Sequence, residues 1–223
     1  MIDAVVFDVG ETLIDETRQN AAWADWLGVP RHTFSAMFGA MVATGREFRD
    51  VFGHFKPGFD LATERQRRAE AGLEDEFTEA DLYPDTRPCL AALHDQGIWV
   101  GIAGNQPSSA GDLLRAMDLP VDLIETSQDW GVNKPDPRFF AAVVAAVPFP
   151  PDRIAYVGDR VDNDMKPARA AGLRTIYLRR GPWGHIWAHH PDLAGTADWQ
   201  VTSLAEIPPL IAAANRARAA GRG

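Results

Sequence analysis

Short apolar runs that end in an acidic or small residue alternate with amphipathic stretches over most of the chain. The first run, Val5-Val6-Phe7, stops at Asp8. A β-branched run that ends in an acid is typical of a buried parallel strand that delivers a carboxylate to the edge of its sheet. Further strands are predicted at 98–103, 121–126, 153–157, 173–178 and 200–201. Helices are predicted between them at 86–96, 108–117, 137–147, 163–171 and 203–215. This alternation predicts a doubly wound, mostly parallel α/β sheet.

One long stretch, residues 16–82, interrupts the alternation. Its signals are helical, with Trp23 and Trp26 at helical spacing and a second apolar stripe that begins at Phe34. A third helix is predicted to end at Gly72. We therefore expect an α/β core of residues 1–15 and 83–223 and an all-helical insert of residues 16–82, whose aromatic stripes form its own interior.

Composition narrows the class of protein. Hydrophobic residues at 46% and charged residues at 24% are ordinary for a globular protein, and no apolar run is long enough to cross a bilayer. The start of the chain lacks a signal-peptide pattern, and the single Cys89 excludes an internal disulfide, so a cytoplasmic protein without a membrane partner is expected. The net charge of -9 argues against nucleic acid as a partner. No pattern predicts an oligomeric state.

Acidic residues follow two of the predicted strands. Asp8 follows the first, and Asp159 follows Ile154–Val157 and Gly158, with Asp164 five residues later. Carboxyl ends of parallel strands face one edge of a sheet, where ligands bind. One such acid is more often solvated or caps a helix, but three together favour a site for a hard cation such as Mg²⁺.

The three histidines after the fifth predicted strand favour no metal site. His185 and His189 have helical spacing, but Pro182 and Gly184 argue against a helix there, so we interpret them as surface residues.

The segment Phe7-Asp8-Val9-Gly10-Glu11-Thr12-Leu13 resembles the first motif of the haloacid dehalogenase superfamily, an apolar strand followed by Asp-x-Asp-x-Thr or Val. The superfamily's other partners occur in the expected order, so the resemblance covers nearly the whole chain. They are Gly104-Asn105, Lys134 in Asn133-Lys134-Pro135, and the pair Asp159 and Asp164. The insert stands where the superfamily places its type-1 helical cap.

The resemblance implies a role for each of these positions. Asp8 would be the nucleophile and Lys134 would neutralise it and bind a phosphoryl oxygen. Gly104 and Asn105 would complete the phosphate-binding set. Mg²⁺ would be held by four positions: Asp8, the main-chain carbonyl of Gly10, Asp159 and Asp164.

Two positions depart from the family pattern. Gly10 replaces the second Asp, the general acid/base of the phosphatases, and Gly104 replaces a Thr or Ser hydroxyl. Glu11 could replace that Asp only by reaching in from one position along, where we expect its side chain to point elsewhere; an enzyme without this replacement would depend on substrates with acidic leaving groups. The resemblance implies a Mg²⁺-dependent phosphomonoester hydrolase for a small phosphorylated metabolite, with weakened proton transfer.

The alternative is a homologue that is not a phosphatase. It could bind ligands or serve as a scaffold, or it could cleave another bond. Haloacid dehalogenases also lack the second Asp, but they need no Mg²⁺. Because Asp159 and Asp164 are retained, this chain is less well explained as a dehalogenase. Phosphonate-cleaving relatives use a cap lysine, and Lys56 is the only lysine of the insert.

Overall fold

The structure is a computed structural model that describes residues 1–47, 49–73 and 77–220. The chain divides into two compact units, Met1–Ile14 with Leu82–Gly223 and Asp15–Asp81. The division falls within one residue of the predicted limit at each junction. Positions 48 and 74–76 of the predicted insert lie outside the described residues.

Six parallel strands form one sheet in the larger unit. They are β1 (Ala4–Phe7), β2 (Trp99–Gly104), β3 (Leu123–Thr126), β4 (Ile154–Gly158), β5 (Arg174–Leu178) and β6 (Trp199–Val201). Their order across the sheet is β3-β2-β1-β4-β5-β6. Every residue of β1 and of β4 is buried, as expected for strands covered on both faces. The predicted doubly wound parallel sheet is confirmed.

The smaller unit consists of helices, and a second set of helices flanks the sheet of the larger unit. The smaller unit holds α1 (Thr17–Leu27), α2 (Arg31–Ala43), α3 (Asp50–Phe55) and α4 (Leu61–Glu70). The larger unit holds α5 (Thr86–Asp95), α6 (Ser108–Ala116), α7 (Ser127–Trp130), α8 (Pro137–Ala146), α9 (Lys166–Ala170), α10 (Gly181–Ile186), α11 (Leu193–Thr196) and α12 (Ile207–Ala220). None of the described helices has the length and apolar character that a membrane span requires.

Aromatic rings form the interior of the smaller unit, as the stripes predicted. The ring of Trp23 lies edge-on to that of Phe52, with centroids 5.2 Å apart. Phe52 in turn stacks on Phe59 at 4.6 Å. Phe34 is also buried. The inserted cap is therefore helical and has its own apolar core.

The register of the central strands brings their ends to one place. Phe7 pairs with Ile102 of β2 on one side and with Val157 of β4 on the other. The residues that follow these three strands therefore leave the sheet at the same edge. The strand order reverses at β1, and ligands of open α/β sheets bind at such a point.

The segment after β4 differs from the predicted helix 163–171. Residues Val161–Met165 form a π-helical turn, and the α-helix begins only at Lys166. Pro167 has no N–H to donate to Asn163 four residues earlier. The preceding turn is wider, because the N–H of Met165 donates to the carbonyl of Arg160 five residues back, at 3.1 Å.

Candidate active site

Asp8 leaves the sheet at the end of β1, where its backbone N–H donates to the carbonyl of Val157 at 2.9 Å. Its carboxylate lies against the end of β2. A Cβ added at Gly104 would be 2.6 Å from Oδ1 of Asp8, which is closer than carbon and oxygen approach without displacement. Gly104 therefore makes room for the Asp8 carboxylate in this orientation, in addition to lacking the hydroxyl of the family pattern.

Lys134 lies at the centre of the site. Its side chain is 0% exposed, and Nζ lies 2.7 Å from Oδ1 of Asp8 and 2.7 Å from Oδ1 of Asp164. Burial alone would lower the pKa of Lys134, but the carboxylates of Asp164 and Asp8 outweigh burial and raise it well above its usual range. Lys134 is therefore an ammonium that bridges two carboxylates.

Asn105 holds the backbone of Lys134 from both sides. Its Oδ1 accepts the N–H of Lys134 at 2.7 Å, and its Nδ2 donates to the Lys134 carbonyl at 2.9 Å. The resemblance implied that Asn105 belongs to the phosphate-binding set. The side chain has a different task, which is to fix the loop that carries Lys134.

Three carboxylates converge beside Lys134. Asp8, Asp159 and Asp164 each offer an oxygen within 4.8 Å of the others. Oδ2 of Asp164 accepts the backbone N–H of Arg160 at 3.0 Å. Oδ2 of Asp159, in contrast, is buried and has no hydrogen-bond partner among the described residues.

The pKa shifts of two of these acids fit a cation site. Burial and the neighbouring carboxylates of Asp164, Asp8 and Glu11 raise the pKa of Asp159 well above its usual range. Burial, partly offset by Lys134, raises the pKa of Asp164 to about 6. A buried, unpartnered carboxylate oxygen beside two others is a costly arrangement that a divalent cation would satisfy.

Gly10 and Glu11, the two positions considered for the missing acid, both lie in the loop that follows Asp8. Gly10 is not among the glycines described with positive φ. Glu11 has a φ of 52° and is largely buried. Its Oε2 accepts the hydroxyl of Tyr83 at 2.6 Å.

The structure also gives the surroundings of other side chains that the sequence singled out. Lys56 lies in the smaller unit, where Nζ contacts Oε1 of Glu64 at 2.8 Å. His185 lies in α10, although the sequence argued against a helix there. The helix is possible because Pro182 lies in its first turn, where proline is tolerated. His189 lies beyond the end of this helix, and both histidines are exposed, as expected for surface residues.

The site also contains a residue that no pattern suggested. Tyr156 lies within the apolar strand β4, where a tyrosine is typical of core, yet its hydroxyl contacts Nζ of Lys134 at 3.1 Å. Tyr156 could be identified only from the residues that lie next to it in the folded structure, because these are distant in the sequence.

Comparison with protein families agrees with this geometry. The model of the haloacid dehalogenase-like hydrolases matches residues 2–172, which include all of the acids described above. The chain belongs to this family. The match runs from β1 to the end of the segment after β4, so it includes both the helical cap and the site.

Relatives within the haloacid dehalogenase-like hydrolases include named phosphatases. The chain is 28% identical to glyceraldehyde 3-phosphate phosphatase of Methanopyrus kandleri, over 86% of its own length and 90% of the relative. It is 31% identical to phosphoserine phosphatase of Thermus thermophilus, over 75% and 67% of the two chains. A subfamily IA hydrolase from Geobacter sulfurreducens has the same fold, with a TM-score of 0.67, 21% identity and coverage of 94% and 96%.

Proposed function

We propose that this haloacid dehalogenase-like hydrolase is a Mg²⁺-dependent phosphatase that acts on a small phosphorylated metabolite. The observation that carries the proposal is the contact of one buried ammonium, Lys134, with both Asp8 and Asp164 at 2.7 Å, beside the unpartnered oxygen of Asp159. The relatives named as phosphatases support the substrate class.

In the first step, a carboxylate oxygen of Asp8 attacks the phosphorus atom. A new O–P bond forms to give an acyl phosphate on Asp8, and the bond from phosphorus to the ester oxygen breaks. Lys134 stays protonated and stabilises the negative charge that spreads over the phosphoryl oxygens. Gly104 leaves room for the Asp8 carboxylate at the end of β2, and the backbone N–H of Asn105 is proposed to donate to a phosphoryl oxygen beside it.

In the second step, a water molecule cleaves the acyl phosphate. It releases phosphate and restores the carboxylate of Asp8. Both steps move a proton, first to the leaving oxygen and then from the attacking water. Gly10 has no side chain for this transfer and the carboxylate of Glu11 is bound by Tyr83, so we propose that solvent carries these protons. The enzyme should therefore prefer esters with acidic leaving groups.

A divalent cation completes the charge balance of the site. Asp8, Asp159, Asp164 and the main-chain carbonyl of Gly10 are the proposed ligands, all of them oxygen donors of the kind that Mg²⁺ prefers. When bound, the cation would neutralise the phosphoryl oxygens and the nucleophile. Replacement of the family's second Asp by Gly10 keeps the carbonyl, so it does not remove this ligand.

The phosphonate-cleaving alternative is weakened by the surroundings of Lys56. A Schiff base needs a neutral amine. The ammonium of Lys56 instead pairs with Glu64, whose buried carboxylate also accepts from Trp26 at 2.9 Å. This ion pair would have to break before the Lys56 nitrogen could attack a carbonyl carbon.

The test is a screen of phosphorylated metabolites, with glyceraldehyde 3-phosphate and phosphoserine among them, that measures released phosphate. It is run with Mg²⁺ and with a chelator. We expect Mg²⁺-dependent release by the wild type and none by Asp8→Asn. Asp162→Asn is the matched control, because Asp162 lies in the same segment as Asp164 but its exposed carboxylate pairs with Arg160.

Two results would contradict the proposal. Equal phosphate release by wild type and Asp8→Asn would show a contaminating activity. Release of halide from 2-haloacids in the presence of the chelator, without phosphate release from any ester, would assign the chain to the dehalogenases of the family.

A further inference from the structure

The hydroxyl of Tyr156 is held in a fixed position inside the sheet. Tyr156 is fully buried in β4, and its ring meets that of Phe140 from α8 edge-on, with centroids 5.0 Å apart. Oη donates to the carbonyl of Ala103 at 2.8 Å. Since the single proton of the phenol points to Ala103, the oxygen presents lone pairs on its remaining side.

The ammonium of Lys134 uses those lone pairs. Nζ donates to Oη of Tyr156 at 3.1 Å, in addition to Asp8 and Asp164 at 2.7 Å each. An ammonium has three N–H donors, so three contacts saturate it. Among the described residues, Tyr156 is the one neutral hydrogen-bond acceptor of this ammonium.

We propose that Tyr156 is a positioning residue for the catalytic Lys134, which it holds in place beside Asp8 throughout the reaction. This inference rests on the proposed function. In that reaction the carboxylate of Asp8 becomes an acyl phosphate, so its contact with Lys134 cannot persist unchanged. The Tyr156 hydroxyl takes no part in the chemistry, and its bond to Ala103 ties it to the residue that precedes Gly104.

The chain offers a matched control in Tyr177. Tyr177 lies on β5, next to β4, and is also buried. Its hydroxyl donates to the carbonyl of Gly184 at 3.0 Å, with no contact to Lys134 among the bonds described. Tyr156→Phe and Tyr177→Phe each remove one buried hydroxyl that donates to a backbone carbonyl. Only the first removes an acceptor from Lys134.

The first readout is steady-state kinetics on p-nitrophenyl phosphate with Mg²⁺. We expect Tyr156→Phe to lower kcat about 10- to 100-fold, the scale of one hydrogen bond to a charged group, with KM changed less than about threefold. Tyr177→Phe should keep kcat within about twofold of the wild type. A role limited to packing would lower the stability of both variants alike and leave kcat unchanged.

The second readout does not need activity. The chain has three lysines, Lys56, Lys134 and Lys166, so ¹⁵N-labelled lysine gives an ammonium spectrum with three sites. We expect the Lys134 ammonium protons to exchange slowly with water in the wild type and in Tyr177→Phe. In Tyr156→Phe their exchange should be at least about tenfold faster, because one donor loses its acceptor.

Two results would overturn the proposal. One is a Tyr156→Phe variant whose kcat and ammonium exchange match those of Tyr177→Phe. The other is wild-type exchange at Lys134 as fast as at Lys56 and Lys166, a measurement that requires no variant to fold. If the wild type hydrolyses no phosphate ester but exchange rises only in Tyr156→Phe, the proposed function fails and the positioning role stands.

Discussion

At the scale of single residues, two glycines decide whether the carboxylates fit. A Cβ at Gly104 would meet Oδ1 of Asp8 at 2.6 Å, and one at Gly158 would meet Cγ of Asp164 at 2.5 Å. The sequence predicted the acids, because each follows an apolar run or begins the next helical segment. It did not predict the need for Gly104, since the constraint comes from a side chain that is distant in the chain. For the same reason the partners of Lys134, Asn105 and Tyr156, could not be inferred from spacing.

Metal binding should tighten as the pH rises. Burial raises the pKa of Asp159 well above its usual range and that of Asp164 to about 6, so at low pH these carboxyls hold protons that a cation must displace. Calorimetric titration with Mg²⁺ between about pH 5 and about pH 8 should show rising affinity and falling proton release. Asp159→Asn should weaken binding strongly, whereas Asp162→Asn should not. Affinity that is constant or falls with pH would refute the assignment of these ligands.

Restoring the family's second carboxylate should raise activity. Gly10 is not among the glycines described with positive φ, where a Cβ would be costly, and Gly10→Asp keeps the main-chain carbonyl. General acid catalysis typically contributes about 10²–10⁴-fold, so even a partly aligned Asp should be visible. The gain should be larger on an alkyl phosphate than on p-nitrophenyl phosphate, whose leaving group needs less protonation.

Gly10→Glu is the control for this gain, because its longer side chain carries the same charge to a different place. A folded Gly10→Asp protein that binds Mg²⁺ but gains nothing on either ester would favour the reading without phosphatase activity.

At the scale of elements, periodicity identified the strands and most helices. It did not predict two local features, a π-helical turn and the absence of a side-chain cap on α5. The π-helical turn Val161–Met165 comes directly before α9, and Pro167 lies in the first turn of α9, where its missing N–H is tolerated. Asp85 precedes α5, at the position where a carboxylate often caps a helix. Its side chain makes no capping bond, because it binds Arg180 at 2.5 Å and Ser203 at 2.7 Å instead.

This contact predicts a pH-dependent contribution of Asp85 to stability. Burial would raise the pKa of Asp85, but Arg180 and Ser203 outweigh it and lower the pKa. A carboxyl with a lowered pKa in the folded state stabilises above its unfolded pKa of about 3.9, and this stability is lost as the pH falls through the folded value. Asp85→Asn should therefore destabilise the protein by about 1–3 kcal/mol near neutral pH.

Urea unfolding at neutral pH and near pH 3 measures this effect. The difference between wild type and Asp85→Asn should shrink at the lower pH. Asp25→Asn serves for comparison, because Asp25 pairs with Arg31 but both side chains are more than half exposed, at 53% and 66%. Exposed pairs contribute little. The same loss in both variants would contradict the role of Asp85.

At the scale of the whole molecule, the alternation of strands and helices was enough to predict the architecture. Buried parallel strands must be connected by crossovers that cover the sheet, so few topologies remain. The long helical interruption likewise predicted a separate insert. The substrate could not be predicted from the cap. Its aromatic residues pack in its own interior, and none of its sequence patterns is typical of binding a particular substrate.

The two units should differ in local stability, and hydrogen exchange can compare them through two helices of equal length. Helix α8 and helix α4 each have 10 residues. The buried residues of α8 are Phe139, Phe140 and Val143, whereas those of α4 are Glu64 and Arg68. Helices this short depend on packing for their stability, and apolar burial supplies more of it. Amides of α8 should exchange at least about tenfold more slowly than those of α4, and with a steeper dependence on urea, since they require opening of the whole core. Identical protection and identical urea dependence in α4 and α8 would mean that core and cap unfold as one unit.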